Sequence, residues 1–264
     1  MRIITCALLF FSLSCSLNAQ TKPSAKQPDA QAQSLVQRAT TAQLGNSAIQ
    51  DVQLTGSVVL HGGTDSRGSI TLAADTSGRS RVVLNLDSGT RAEYSSGHSE
   101  NPACTWTDSN GKTRETSLHN CRTNGVWFLP TFPLSAAQAE GVVAFSYSGS
   151  EAKDGVATEH LVSSKTVAKS NPTTTALIES LSRDDLYFDS ETLLPTSLKF
   201  FIHPDDDAKT DIPVEVKFSD YRDVNGVKIP FHIEKFVNGS SFLEINIDSA
   251  AFNTGTMKQT GGAQ

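Results

Sequence analysis

Apolar and polar residues alternate with a period of two over most of this chain. Gly, Asp, Asn or Ser separate the alternating runs, which is typical of strands with one buried face joined by short turns. We therefore predict a mainly β fold built from antiparallel strands. The runs after residue 51 that carry this pattern lie at 58–60, 70–74, 82–86, 105–107, 113–116, 143–147, 160–163, 186–188 and 198–202.

Residues 212–249 show the alternation most clearly. Asn225-Gly226 and Asn238-Gly239 interrupt it twice, and Asn-Gly between alternating runs is a strong hairpin signal because a type I′ turn needs two positive φ angles. These residues are predicted to form a three-stranded meander. Pro230 lies inside the middle run and has no N–H for a ladder, so it predicts a bulge or a locally unpaired point.

Two segments have a helical pattern. Residues 32–44 carry apolar side chains at helical spacing and end at Gly45-Asn46, and a shorter helix is predicted over 175–182. The apolar segment 126–134 contains Pro130 and Pro133, which forbid a central strand. Residues 126–134 are therefore either a buried crossing segment or a cover over an apolar cavity.

The first 19 residues have the layout of a secretory signal peptide. Arg2 precedes an apolar run that is too short to span a bilayer, and Ala19 ends a small and polar stretch where cleavage is expected. A retained anchor and a lipoprotein acylated at Cys15 are the alternatives. Localisation is predicted to be periplasmic or secreted. We predict a flexible lead-in over 20–31, a single β domain over 32–254 and a disordered tail over 255–264.

Two cysteines remain after the signal peptide, Cys104 and Cys121. In an exported chain they are best explained as one disulfide around the predicted hairpin. A metal site with the nearby His98 and His119 is the alternative, but the spacing matches no compact zinc pattern. The sequence therefore predicts a structural disulfide and no metal.

The net charge and the absence of known motifs argue against several functions, but they do not identify a function. The net charge is −6 and basic residues are not clustered, so nucleic acid is not an expected partner, and any membrane contact should be peripheral. No catalytic or cofactor motif occurs, and the adjacent carboxylates Asp184 and Asp185 have no acid/base role without a pocket. Residues 205–207 are interpreted as a solvated turn in preference to a calcium loop. A hydrolase assembled from distant strands remains the weakest alternative.

Two segments carry a family resemblance. Residues 187–195, Tyr-Phe-Asp-Ser-Glu-Thr-Leu-Leu-Pro, and residues 218–230, with Phe-Ser-Asp-Tyr-Arg, Asn-Gly and Ile-Pro, resemble the LolA-like lipoprotein carrier superfamily. Residues 245–247 and Asn253 continue the similarity. The resemblance implies a curved, incomplete antiparallel β-barrel, with the N-terminal helix and the short internal helix covering its concave face.

The same resemblance implies that an apolar concave face binds an amphiphile, either a lipid or a lipoprotein acyl chain, in a carrier or binding protein. Because no catalytic motif is found, enzymatic activity is not expected. A module on the same scaffold that binds an envelope protein or senses envelope stress is the main alternative. The apolar lining predicted for the ligand consists of aromatic residues: Trp127, Phe128, Phe132, Phe145, Phe200 and Phe218.

Overall fold

The computed structural model describes residues 29–97, 102–123, 125–166 and 171–259. The predicted signal peptide and most of the lead-in lie outside these residues. The described part forms 13 strands: β1 Asp51–Leu60, β2 Ser66–Asp75, β3 Ser80–Leu86, β4 Gly89–Ser95, β5 Cys104–Thr107, β6 Thr113–Glu115, β7 Val143–Lys153, β8 Val156–Lys165, β9 Asp184–Asp189, β10 Pro195–Ile202, β11 Ile212–Val224, β12 Val227–Val237 and β13 Ser240–Phe252. Its helices are α1 Ala30–Leu44, α2 Leu118–Thr123, α3 Leu134–Glu140, α4 Pro172–Leu181 and α5 Thr256–Gln259.

All 13 strands belong to one antiparallel sheet. Its order is β6-β5-β4-β3-β2-β1-β13-β12-β11-β10-β9-β8-β7, so every neighbour is also a sequence neighbour except at the β1–β13 junction. Strands β6 and β7 are the two edges. The predicted fold class is confirmed: the chain forms an open, curved antiparallel sheet, an incomplete barrel with few helices.

One face of the sheet carries the core, and we call it the inner face. Register partners on successive strands bring buried apolar residues side by side, as in Leu161, Leu186 and Leu198. The neighbouring register row, which contains Asp185 and Lys199, points to the opposite, outer face. The period of two seen in the sequence is therefore the physical reason for a buried inner face and a charged outer face.

Helix α1 packs against the inner-face core. Its buried side chains belong to the core cluster, and the helix contacts β7, β12 and α3. It starts two residues before the predicted position because Asp29 caps it, accepting hydrogen bonds from the N–H groups of Gln31 and Ala32 at 3.0 and 3.1 Å. The second Asp29 oxygen accepts the Tyr147 N–H at 2.8 Å, which ties α1 to edge strand β7. These backbone hydrogen bonds, the one from Tyr147 first, hold the pKa of Asp29 below its usual value.

The predicted meander is β11–β12–β13. Asn225 and Gly226 have φ of 54° and 85°, and Asn238 and Gly239 have φ of 49° and 76°, as the Asn-Gly signals predict. Pro230 lies opposite Tyr221 in a β11–β12 register that does not shift there. The β12–β13 ladder extends from His232 to Val237, so Pro230 is unpaired on that side and the bulge alternative is wrong at this position.

The residues that resemble the LolA-like family have structural roles here. Asp189 accepts hydrogen bonds from the backbone of Glu191 and Thr192 and thereby closes the turn after β9. The Tyr221 hydroxyl donates to the Pro195 carbonyl at 2.8 Å, which joins the two similar segments to each other. These contacts explain why the resemblance is informative about the fold.

Two short helices and part of the tail differ from the sequence expectations. Helices α2 and α3 are each shorter than eight residues, too short to show a clear helical period. The tail predicted to be disordered from residue 255 begins with α5, where Met257 is 2% exposed. Helix α4 contacts β8 and α2 and buries Ile178, so the internal helix packs beside the sheet end.

Candidate ligand-binding site on the inner face

Residues 126–134 are buried although they form no strand. Trp127, Phe128 and Phe132 are each 5% exposed or less. Leu129, Phe132 and Leu134 each donate a backbone hydrogen bond to the carbonyl three residues earlier, so successive turns pair part of the segment's own backbone. This local pairing lets an apolar loop with two prolines lie in the core.

Two cavities border this segment. The first, which we call the Lys165 cavity, has a volume of about 60 Å³ and lies between the segment, α3 and strands β7 to β10. The second, the Trp106 cavity, has a volume of about 150 Å³ and is lined by β1, β3, β4, β5 and β13. Trp127 lines both cavities, so its side chain lies between them.

The structure distributes the six predicted aromatic residues unequally. Trp127 and Phe200 line the Lys165 cavity. Phe128, Phe132 and Phe218 are buried in the core cluster and line neither cavity, while Phe145 packs against that cluster from a less buried position. A ligand-binding role for all six stays a prediction.

The Lys165 cavity contains two charged groups that the sequence did not single out as a site. Lys165 ends β8 and Asp184 begins β9, and both line the cavity together with Ser163 and Ser182. Burial raises the pKa of Asp184 to about 7, although the nearby Lys165 ammonium lowers it. Burial also lowers the pKa of Lys165 to about 8, while Asp184 raises it. The pKa values of both groups therefore lie near neutral pH, inside a mostly apolar cavity.

A second lysine packs against Trp127. The Lys235 ammonium is 4.4 Å from the centre of the Trp127 ring, a cation–π distance. Burial lowers the pKa of Lys235, and the Glu93 carboxylate opposes this shift. Glu93 lines the Trp106 cavity and is exposed, so this cavity opens to solvent at a charged rim.

Replacing Asp184 with asparagine should stabilise the protein at alkaline pH. The folded protein raises the pKa of this carboxyl from 3.8 to about 7, so the wild-type side chain contributes stability at low pH that is lost as the pH rises through 7. The variant has no such loss. We expect it to be more stable than wild type by about 1–2 kcal/mol at pH 8 and about equal at pH 4, measured by urea denaturation.

Asp185 is the matched control because it is the next residue and faces outward. Burial raises its pKa, but hydrogen bonds from Arg183 and His160 outweigh burial and leave it below 3.8. Asp185→Asn should therefore destabilise the protein at neutral pH, and the difference should shrink as the pH falls through the folded-state pKa. Equal pH profiles for the two variants would contradict the assignment of the two faces.

The predicted disulfide is present between Cys104 and Cys121, with the sulfur atoms 2.07 Å apart. It attaches α2 to β5. Helix α2 in turn holds the β10–β11 loop, because Asn120 Nδ2 donates to the His203 carbonyl at 2.7 Å and the Asn120 side-chain oxygen accepts the His203 N–H at 3.2 Å. The disulfide therefore connects one end of the sheet to a loop from the other half of the chain.

Histidines and acidic residues have structural partners. His160 lies on the outer face between Glu151 and Asp185, at 2.9 and 2.8 Å. The Asp207 carboxylate accepts hydrogen bonds from the Lys209 N–H and the Thr210 hydroxyl, which follow the predicted turn. Within the described ranges, no group of three or more His, Cys, Asp or Glu side chains could hold a metal ion. His98 lies outside those ranges.

A scan against models of protein families found no match for this chain, and a search of curated proteins also found none. Solved structures do match. A domain described as outer membrane lipoprotein-sorting from Vibrio parahaemolyticus has a TM-score of 0.54 and 12% identity, covering 85% of this chain and 93% of that one. A DUF1329 family protein from Desulfovibrio piger has a TM-score of 0.55 and 14% identity, covering 87% and 95%.

A LolA superfamily protein from Nitrosomonas europaea is similar to the same degree, with a TM-score of 0.54, 11% identity and coverage of 86% of this chain and 96% of that one. Because these likenesses extend over nearly the whole of each partner, the chain has a LolA-like fold, as the sequence resemblance predicted. In the part of the chain that the structure describes, no helix has the length and apolar character needed to cross a membrane.

Proposed function

We propose that this protein is exported to the periplasm or secreted and binds an amphiphile, a lipid or a lipoprotein acyl chain, on its inner face as a carrier or binding protein. The observation that carries this proposal is the pair of cavities that meet at Trp127. The likeness to a lipoprotein-sorting domain and to a LolA superfamily protein supports it at the level of fold. The predicted signal peptide supports export.

The volumes of the two cavities limit how a ligand could bind. Sites for small ligands usually measure about 300–1,000 Å³, and neither cavity reaches that size alone. A long acyl chain therefore needs Trp127 to move, which would join the two cavities along the inner face. Residues 126–134 are suited to this movement because turns, and no strand ladder, hold them in place.

The proposal is tested by producing the whole chain with its own N-terminus in a bacterium and purifying it from the periplasmic fraction without detergent. Native mass spectrometry should show cleavage after Ala19 and a bound amphiphile. Intrinsic fluorescence should then report uptake by the delipidated protein, because both tryptophans of the chain line the Trp106 cavity. We expect a saturable change with dodecanoate or a lysophospholipid.

Phe201→Ser is the control for this experiment. Phe201 is 37% exposed on the outer face, so its replacement should leave amphiphile uptake unchanged. An empty protein whose fluorescence responds to no amphiphile would overturn the proposal.

A second candidate function is binding of an envelope protein, and one observation favours it. An open groove of about 540 Å³ lies on the outer face and is lined by Tyr187, Phe201 and Phe236 together with charged residues. The Lys153 and Lys199 ammonium groups lie 5.2 and 5.9 Å from the centre of the Tyr187 ring. If the purified protein is empty but retains an envelope protein, and Phe201→Ser releases it, this second function is the better one.

A further inference from the structure

The Lys165 cavity has a lysine and an aspartate in a largely apolar wall. Its walls include Trp127, Leu186 and Leu198, which are buried apolar residues of the core cluster. Lys165 and Asp184 project into the same space, because Ser163 faces the core and Lys165 lies two residues further along the strand. Partial burial of a cation beside apolar residues costs free energy, and the neighbouring Asp184 carboxylate offsets part of this cost.

The backbone around the two charged groups is fixed in place. The Lys165 N–H donates to the Ser182 hydroxyl at 2.8 Å, and that hydroxyl donates to the Ile178 carbonyl at 2.6 Å. Strand β8 is thereby attached to the end of α4. Ser163 donates a hydrogen bond to the Asp184 carboxylate. A lysine held by its backbone at the wall of an apolar cavity is a preorganised site for a negative group.

The balance of charge in this cavity favours an anion. The pKa values of about 8 for Lys165 and about 7 for Asp184 make the lysine mostly charged below pH 7 while the carboxyl is mostly neutral. Lys165 and Asp184 are the titratable residues in the described lining. Arg79, Glu179 and Asp185 belong to surrounding elements, and Lys235 packs against Trp127, but none of these four lines the cavity. Residues 125–134 contribute no titratable side chain.

We propose that the Lys165 cavity binds the anionic headgroup of a single-chain amphiphile, with Lys165 pairing the headgroup and Asp184 opposing it, while the chain extends past Trp127 toward the Trp106 cavity. This inference rests on the proposed function and deepens it by naming the headgroup class. It assigns opposite effects to two residues that share one cavity. A purely structural role would give both replacements the same effect on anionic and neutral ligands.

The test compares dodecanoate with dodecanol, which has the same chain and no charge, by the fluorescence titration described above. Lys165→Met should weaken dodecanoate binding about tenfold or more, because a hydrogen bond to a charged group is lost, and should change dodecanol binding by less than about threefold. Asp184→Asn should strengthen dodecanoate binding at pH 8 by about threefold or more and have little effect at pH 5.5, where the wild-type carboxyl is already protonated. Acetate, which has the headgroup without the chain, should not compete.

Two further variants keep the result interpretable. Lys199→Met removes a lysine from the outer face and should bind dodecanoate like wild type. If Lys165→Met does not fold, as judged by circular dichroism, Lys165→Arg keeps the charge and should retain the preference for dodecanoate over dodecanol. The headgroup site would be overturned if wild type bound dodecanoate and dodecanol equally and Lys165→Met or Lys165→Arg left both affinities unchanged. That result would still support amphiphile binding. Binding of neither ligand would overturn both proposals.

Discussion

Replacing Trp127 with alanine should lower the free energy of unfolding by about 3–5 kcal/mol, and an added amphiphile should recover much of that loss. The side chain is 5% exposed, and removing a large buried aromatic group costs both its transfer free energy and the cavity left behind. Because Trp127 separates the two cavities, the new space connects them. A ligand that fills this space binds only the folded form and therefore stabilises it.

Phe128→Ala is the matched control for this experiment. Phe128 is the next residue, is fully buried and lines neither cavity. It should lose a similar amount of stability in urea denaturation, but dodecanoate at a saturating concentration should not restore it. If both variants are rescued equally, or neither is, Trp127 does not divide a binding site and the proposed route for the acyl chain is wrong.

Removing the disulfide should lower the free energy of unfolding by about 3 kcal/mol. Cys104 and Cys121 are 17 residues apart, and a closed loop of that size restricts the unfolded chain by about this amount. The double variant Cys104→Ser/Cys121→Ser should be compared with wild type by urea denaturation. We also expect faster hydrogen exchange in residues 203–211, because the disulfide attaches α2 to the sheet and α2 holds that loop.

Asn120→Ala separates the two effects of the disulfide. This variant keeps the covalent bond and removes both hydrogen bonds between Asn120 and His203. It should cost about 1 kcal/mol and still increase exchange in residues 203–211. A loss of stability in the double cysteine variant without any change in that loop would show that α2 does not transmit the restraint.

Local sequence patterns predicted most of the sheet because they report forces that act within a few residues. Asn225-Gly226 determines a turn through two positive φ angles, and alternation determines which side of a strand is apolar. Asp189 closes its own turn with side-chain hydrogen bonds to residues two and three positions away. The disulfide was predictable because few alternatives exist for two cysteines in a chain that is predicted to be exported.

The short helices and the cavities were not predictable in this way. Helix α3 is too short for a period to be visible, and it forms where residues 126–134 return to the core. The cavities depend on contacts between β8, β9, α3 and residues 126–134, which are separated along the chain. Among the predicted aromatic residues, pattern alone cannot distinguish Trp127, which borders both cavities, from Phe128, which fills the core.

Asp184 and Asp185 show which properties local sequence predicts and which depend on tertiary structure. Adjacent in the sequence, they are two carboxylates without an assignable role, and their position in a strand determines that they face opposite sides. Only the folded sheet decides that one side is an apolar cavity and the other a set of ion pairs with Arg183 and His160. Burial therefore raises the pKa of Asp184, and hydrogen bonds lower the pKa of Asp185.

The sequence by itself determined the strands and their turns, because those depend on neighbouring residues. The environment of each side chain was decided by tertiary packing, because it depends on residues that only the fold brings together.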